Sequence, residues 1–486
     1  MSDERHYTHF WKRRAVLKAG SGGIAGAMLA SLVGRDAFAQ SEPAQSSRPA
    51  SAEPGMPSPE TLIIQNAHII TMDSELGELT GDVRVENGRI QGVGKNLAPN
   101  GARMIDGRGM IVIPGLVDTH WHMWNSIARS FVPMPSGEPF AEAMKKINTG
   151  YAPEYAYLGV RLAAAEAINS GITTVNNWAH NIAGPAYADA EWQALKESGL
   201  GGRFSYGYPQ TLGADELMDF DDALRMRPLV ESHPDWHYGL CFRGPERTDE
   251  AVWTREWAFG REQGLPMTTH IAVSREMQKK RAIQALAERG LLGPDVQLVH
   301  VTHADAEDLR VIKQYGSPVS LSPFTEMRVG YGLPPIMRLH EAGVEISLSV
   351  DNTPLAGNAD YFSIMRLTLN LATGMSEDQL ALKPEHVLHW ATLGGARDLG
   401  MADSVGSITV GKRADLVMID ARRLGTVPLT DATAIVTQSV QPGDVDTVIA
   451  GGRILKQAGR LVGLDDKTLI ADVERGWAEL RAKGGF

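Results

Sequence analysis

Hydrophobic and polar positions fall into three textures along this chain. From Thr61 onward, short β-type runs (Leu62-Ile63-Ile64, Ile69-Ile70-Thr71-Met72, Val83-Arg84-Val85 and Ile90-Gln91-Gly92-Val93) are split by Gly, Asn and Asp. That is the pattern of a small β-rich module over residues 60–113. From 114 to 400, short apolar runs alternate with helical stretches at 154–168, 192–198, 248–262, 275–288, 304–314 and 335–341. Such alternation predicts a parallel sheet with right-handed crossovers. Eight candidate strands end near His120, Asn177, Tyr208, Phe242, His270, His300, Ser322 and Asp351. Most intervals are about 20–35 residues, the size of a βα unit, and eight such units close into a (β/α)8 barrel. Over 401–465 the β texture returns, with strands and tight turns at 405–412, 415–419 and 447–452. These segments are expected to pair with the N-terminal strands, so that both flanks build one β-sandwich beside the barrel. A C-terminal helix is expected within 466–486. The fold class is therefore α/β, a TIM-type barrel flanked by a small β-sandwich.

The run Ile111–Val–Ile–Pro–Gly–Leu–Val–Asp–Thr–His120–Trp–His122 carries the first chemical signal. Strand side chains alternate faces, so His120 and His122 offer two imidazoles to one point past the strand's end. Neutral imidazole is the commonest metal ligand among side chains. Two histidines at this spacing are by themselves commonly solvated or structural. The rest of the chain adds weight. His270 follows Leu265-Pro266-Met267-Thr268-Thr269, His300 follows Val296-Gln297-Leu298-Val299, and Asp351 follows Ile346-Ser347-Leu348-Ser349-Val350. In a barrel of this kind, polar residues at the C-terminal strand ends form the active site.

Composition narrows the partners. The chain has 486 residues, of which 43% are hydrophobic and 22% charged, an ordinary globular balance. A formal net charge of −11 argues against nucleic acid. The single cysteine, Cys241, excludes a disulfide framework and a thiolate-rich zinc site. At the N-terminus, Lys12-Arg13-Arg14-Ala15-Val16-Leu17-Lys18 resembles a twin-arginine export signal. It is followed by a Gly/Ala-rich apolar stretch, and Ala37-Phe38-Ala39 fits a signal-peptidase site. The stretch is too short and too glycine-rich for a membrane anchor. The expectation is a signal over 1–39, a disordered Ser/Pro/Ala/Glu-rich linker over 40–59, periplasmic location, and no stable membrane insertion after cleavage.

The chain resembles the amidohydrolase superfamily, specifically its ATZ/TRZ-like, cytosine-deaminase-like branch. The resemblance rests on Pro114-Gly115-Leu116-Val117-Asp118-Thr119-His120-Trp121-His122, Gly171-Ile172-Thr173-Thr174-Val175, Ala391-Thr392-Leu393-Gly394-Gly395-Ala396-Arg397, and the segment from Gly406-Ser407-Ile408 to Gly411-Lys412-Arg413-Ala414-Asp415-Leu416-Val417. It implies that His120, His122, His270 and Asp351 bind one divalent metal, zinc rather than iron. Such a metal brings the pKa of bound water towards ~7. Asp351 would take the water's proton and pass it to the leaving group. His300 would orient the attacking oxygen or polarise the substrate. Binuclear relatives carry a lysine on strand 4; here Trp236-His237-Tyr238-Gly239-Leu240-Cys241-Phe242 has none, which implies a mononuclear site.

One departure bears on the reaction. Heterocycle deaminases of this branch typically carry a proton-shuttling glutamate three residues after the strand-5 histidine; here that residue is Val273. Glu276 and Glu326 are the stand-ins within reach of the sequence. The substitution turns the expectation towards hydrolysis of an amide, urea or carbamate bond in a small cyclic or aromatic molecule. The alternatives are a heterocycle aminohydrolase or chlorohydrolase, a lyase or isomerase on the same scaffold, and a binding protein that has lost its chemistry. Trp121, Met123, Trp124, Trp178 and Phe324 would line an apolar slot or simply pack the barrel mouth. His180 is read evenly as a substrate contact or a loop cap, His303 as structural, and Arg243 as the one cation at a strand end. The partner is a small molecule, and a homo-oligomer is left open.

Overall fold

The computed structural model describes residues 56–132, 137 and 139–485. The expected signal and nearly all of the expected linker lie outside the described residues. Eight parallel strands follow one another in sequence order around a single sheet. They are β1 (Leu116–Trp121), β2 (Ile172–Ala179), β3 (Gly201–Tyr206), β4 (Trp236–Phe242), β5 (Met267–Ile271), β6 (Val296–His300), β7 (Val319–Leu321) and β8 (Ile346–Leu348). A parallel bridge between Trp121 and Asp351 brings the sheet round to a nearly closed barrel. All eight expected strands are present. The ladder of β8 stops at Leu348 rather than near Asp351, because Asp351 turns into the left-handed region with φ 65°.

The apolar run before His120 is two strands, not one. Met110–Pro114 pairs with Leu416–Asp420 in the flanking sheet, with Val112 opposite Met418. The chain then steps at Gly115 into β1. A Cβ at Gly115 would lie 2.0 Å from Thr173 Oγ1, so only glycine lets the chain pass β2 this closely. Both flanks pair as expected, in one nine-stranded sheet. Its own core is built from Leu62, Ile64, Val83, Leu416, Met418 and Ile449. Residues 405–412 are turn rather than strand; there Ile408 donates its N–H to Thr71 O at 2.7 Å and is fully buried.

Helices cover the barrel. Pro153–Asn169 buries Ala156, Val160, Ala163 and Ala167, small residues that bring its backbone close to the turn after β1. The helix expected over 275–288 is two short helices, Arg275–Gln278 and Ala282–Glu288, broken where Arg281 takes φ 54°. Asp466–Gly484 closes the chain as expected.

The barrel interior is polar beneath the site. Thr119 Oγ1 lies 2.8 Å from both Ser320 Oγ and Ser347 Oγ. Because β1 and β7 are not neighbours, the first of these bonds spans the interior. Ser347 donates to Asp398 Oδ2 at 2.5 Å, Gln297 to Asp398 Oδ1 at 2.6 Å, and Thr268 to Gln297 Oε1 at 2.6 Å. Burial pushes the Asp398 carboxyl up to about 7. A buried network with its members paired fixes register in a way aliphatic packing does not. It ties β7 to β1, β5, β6 and β8, the strands that carry the site.

Candidate metal centre

Five side chains from four strand ends converge above this network. His120 is the penultimate residue of β1, and His122 follows the strand. His270 lies in β5, His300 ends β6, and Asp351 follows β8. Backbone bonds lock the first and last together: Asp351 N–H donates to His120 O at 2.8 Å, and His122 N–H to Asp351 O at 2.7 Å. Asp118, to which sequence reasoning gave no role, secures the same junction. Its Oδ1 accepts from His120 N–H at 3.1 Å and its Oδ2 from Val350 N–H at 2.7 Å. His300 and Asp351 have φ of 75° and 65°, and the β-branched Val301 has φ 45°. Such backbone costs about 1–3 kcal/mol per residue and persists where surrounding structure over-determines it.

The donor atoms are close. His120 Nε2 is 3.1 Å from His270 Nε2 and 3.3 Å from Asp351 Oδ1. His122 Nε2 is 3.2 Å from the same Oδ1. His300 Nε2 faces the other oxygen, Oδ2, at 3.8 Å. One donor atom from each of His120, His270, His300 and Asp351 lies within 4.8 Å of the rest. Burial holds His120 neutral, with its pKa driven down to about 3, and holds His270 well below the ordinary range. Burial also opposes ionisation of Asp351, but its close contacts with the imidazoles of His120 and His122 outweigh it and leave the carboxyl well below its usual value.

These residues fit a metal. His120 Nδ1 and His270 Nδ1 have no hydrogen-bond partner, while their Nε2 atoms face each other at contact distance. A neutral imidazole carries one proton. With that proton at Nδ1, both lone pairs point at one place, which is repulsive without a cation between them. Four ligands at about 2.1 Å in a tetrahedron sit about 3.4 Å apart; the pairs His122–Asp351, Asp351–His120 and His120–His270 have that spacing, while the group whose donors all lie within 4.8 Å of one another takes His300 in place of His122. Nitrogen and carboxylate donors suit zinc or iron.

A second layer orients the donors. His122 Nδ1 lies 3.4 Å from Trp178 O, and donating there would free Nε2 for the cluster. His300 Nδ1 meets Glu326 Oε1 at 3.1 Å; Oε1 also accepts Ser322 N–H at 2.9 Å. Burial raises the Glu326 carboxyl, against the opposing pull of His300.

A cavity of about 330 Å³ opens on the cluster. Trp124, Phe140, Met144 and Leu355 give it apolar wall; His180, Gln210, Arg247, Tyr331 and Asn352 give it polar groups. A cleft of about 430 Å³ between the helices Pro153–Asn169 and Pro185–Lys196 is larger but holds none of the clustered histidines, so the chemistry belongs to the smaller cavity. Of the expected substrate contacts, Trp124 and His180 line the cavity, with Trp124 Nε1 donating to His180 Nδ1 at 3.2 Å. Trp121, Trp178 and Glu326 do not. Trp121 is fully buried at the barrel closure. Trp178 packs its ring 4.1 Å from that of His270 and donates Nε1–H to Thr268. Glu326 stands behind His300. Glu276 is exposed and paired with Lys279 at 2.7 Å. Arg243 is engaged by the carbonyls of Leu212, Gly213 and Glu216 and by Glu256. The cavity's arginine is Arg247, four residues on; no strand-end rule reaches it. His303 Nε2 donates to Tyr331 O at 2.7 Å, a structural contact.

Residues 111–455 match the profile of the amidohydrolase family. The chain belongs to that family. As a member it is a hydrolase acting on carbon–nitrogen bonds other than peptide bonds. Among similar proteins, the 5'-deoxyadenosine deaminase of Methanosarcina acetivorans is 26% identical, over 87% of this chain and 99% of its own length. The 5-methylthioadenosine/S-adenosylhomocysteine deaminase of Pelotomaculum thermopropionicum is 27% identical, over 85% and 97%. Two solved structures share the fold. An adenosine deaminase from Xanthomonas campestris with bound zinc has a TM-score of 0.78 at 23% identity, covering 88% of this chain and 100% of its own. Atrazine chlorohydrolase from Arthrobacter aurescens, complexed with zinc, has a TM-score of 0.77 at 21% identity, covering 86% and 100%.

Proposed function

We propose that this amidohydrolase cleaves an amide, urea or carbamate bond in a small aromatic or cyclic molecule. One observation carries the reading: among the described residues, Asp351 is the only carboxylate that lines the cavity. Deaminating an aromatic ring amine requires a proton delivered to the ring, and Val273, 3% exposed, cannot carry one. Glu246, a buried carboxyl on the loop after β4, uses Oε1 to accept Ala272 N–H at 2.7 Å and does not line the cavity. Amide cleavage needs no ring protonation; one carboxylate that takes and returns a proton is sufficient.

The residues divide the work as follows. His120, His122, His270 and Asp351 would hold one zinc ion. When bound, a divalent ion acidifies water and polarises a carbonyl. Asp351 Oδ2, on the His300 side, accepts the proton of the attacking water and returns it to the leaving nitrogen. The Glu326–His300 pair keeps a proton between Oε1 and Nδ1 and presents Nε2–H to the carbonyl oxygen as its charge grows. Trp124, Phe140 and Met144 supply the face on which a flat substrate lies.

The donor set and the absence of lysine from β4 support one zinc per chain; elemental analysis giving two metals, or iron, would overturn it. Export rests on the Arg13-Arg14 and Ala37-Phe38-Ala39 motifs. It predicts a periplasmic protein beginning at Gln40, and an uncut cytosolic protein would contradict it. The named deaminase relatives favour a second reading, an aminohydrolase releasing ammonia from a heterocycle. Zinc-loaded protein assayed in parallel on aryl amides, aryl carbamates and amino-heterocycles separates the two. Amine release from the first two classes supports the proposal. Ammonia from a ring amine with no amide turnover overturns it.

A further inference from the structure

Two cationic side chains line the cavity. Lys145 is largely exposed and pairs with Glu142 at 2.9 Å. Arg247 differs. It is half-buried, on the loop after β4, and shares the cavity lining with His180, His270 and His300. It is therefore held close to the reacting centre. Tyr331 lines the same cavity, and its ring meets that of His300 edge-on at 5.4 Å. Among the described residues, no carboxylate lies within ion-pair distance of its guanidinium, whereas Arg243 close by is fully engaged with carbonyls and Glu256.

A half-buried guanidinium facing a cavity without a carboxylate partner is a binding group awaiting an anion. Its planar fork suits a carboxylate in two parallel hydrogen bonds. The one carboxylate lining the cavity, Asp351, sits against His120 and His122 at 3.3 and 3.2 Å, and a divalent ion held there would more than offset its charge. The cavity thus favours an anionic guest, and its apolar wall of Trp124, Phe140 and Met144 favours an aromatic one.

We infer that the substrate is an aromatic amide carrying a carboxylate, and that Arg247 receives that carboxylate. This rests on the amide-hydrolase reading for the bond that is cut, but not for the anion that is bound. Charge-assisted hydrogen bonds contribute about 1.5–3 kcal/mol, roughly ten- to hundredfold in affinity.

The test uses zinc-loaded protein with 4-acetamidobenzoate and acetanilide as substrates, and benzoate and benzamide as ligands in calorimetry. Wild type is expected to favour 4-acetamidobenzoate by at least about tenfold in kcat/KM, mainly through KM, and to bind benzoate more tightly than benzamide. In Arg247→Gln that preference and the benzoate affinity should each fall by about tenfold or more. Arg247→Lys, which keeps charge but loses the fork, should restore part of both. It carries the same comparison if the glutamine variant does not fold. Benzoate affinity and substrate preference within twofold of wild type in either variant overturn the inference, since benzoate then sits elsewhere. Turnover of both amides without charge preference also overturns it and leaves the amide reading intact. Arg247-dependent benzoate binding with no amide turnover supports the anion site and sinks the amide reading.

Discussion

Glu326→Gln isolates what the carboxyl behind His300 contributes. Glu326 Oε1 faces two groups, His300 Nδ1 at 3.1 Å and Ser322 N–H at 2.9 Å. The Ser322 N–H can only donate, so a glutamine must place its carbonyl oxygen at that position. His300 must then carry its proton on Nδ1 and donate it to the amide. That leaves a lone pair on Nε2, and the donor aimed at the substrate's carbonyl oxygen is lost. Glu326 Oε2 has no partner, so the glutamine NH2 that replaces it leaves no existing bond broken, and the fold should be close to unchanged. Losing one preorganised donor at a developing oxyanion costs about 2.7–4 kcal/mol, a factor of about 10²–10³ in kcat. Steady-state kinetics on an aryl amide, with thermal unfolding as a control, reads both numbers. The expected result is a kcat lowered at least about hundredfold, a KM changed far less, and a small stability shift. A kcat within threefold of wild type would refute the role of His300 as donor, and with it the reason for burying a carboxyl there.

Three further outcomes follow from the same geometry. Asp351→Asn should lower turnover by at least about 10²–10⁴-fold, the usual contribution of a positioned base, while circular dichroism stays native; retained activity would remove Asp351 from the proton path. Metal-free protein should lose stability as pH falls below about 6.5, because the unfolded chain takes up a proton at His120 near 6.5 whereas the folded one does so only at about 3. The same direction holds for His270, and urea unfolding midpoints flat from pH 7 to 4 would contradict it. Asp118→Asn should set an amide NH2 against either His120 N–H or Val350 N–H, costing about 1–3 kcal/mol in denaturant titration and loosening the metal. Metal release at the wild-type rate would show that the β1–β8 junction does not need Asp118.

The barrel was legible because short strand-type segments recur between helical stretches at the spacing of a βα unit, and periodicity reports that directly. His120, His122, His270, His300 and Asp351 were legible for the same reason, since a strand end is a place that the sequence marks. Residues that act from loops were not. Arg247 stands five residues past Phe242, the last residue of β4. Tyr331 lies beyond the helix Pro323–Arg328 that follows β7. The place of each in the cavity depends on how its loop folds back, which periodicity does not report.

Aromatic residues near strand ends were the other weak point. Trp121, Trp124 and Trp178 look alike in sequence, yet only Trp124 reaches the cavity. Trp121 is taken up by the bridge that closes the barrel, and Trp178 by packing against His270. In sequence Glu326 shows only as a carboxyl near the site; its contact with His300 joins residues from separate βα units, which periodicity does not report. Asp118 lay in plain view in the β1 motif. Its role shows only when Val350, 232 positions away, is brought beside it.

The most direct test of the central claim uses one molecule that offers both bonds: an amino-heterocycle acetylated on a second exocyclic nitrogen. Zinc-loaded protein is incubated with it and the products are resolved by mass spectrometry. Amide hydrolysis gives acetate and the free diamine, with the ring amine intact. Ammonia and the acetylated ring ketone, with the amide intact, would contradict it.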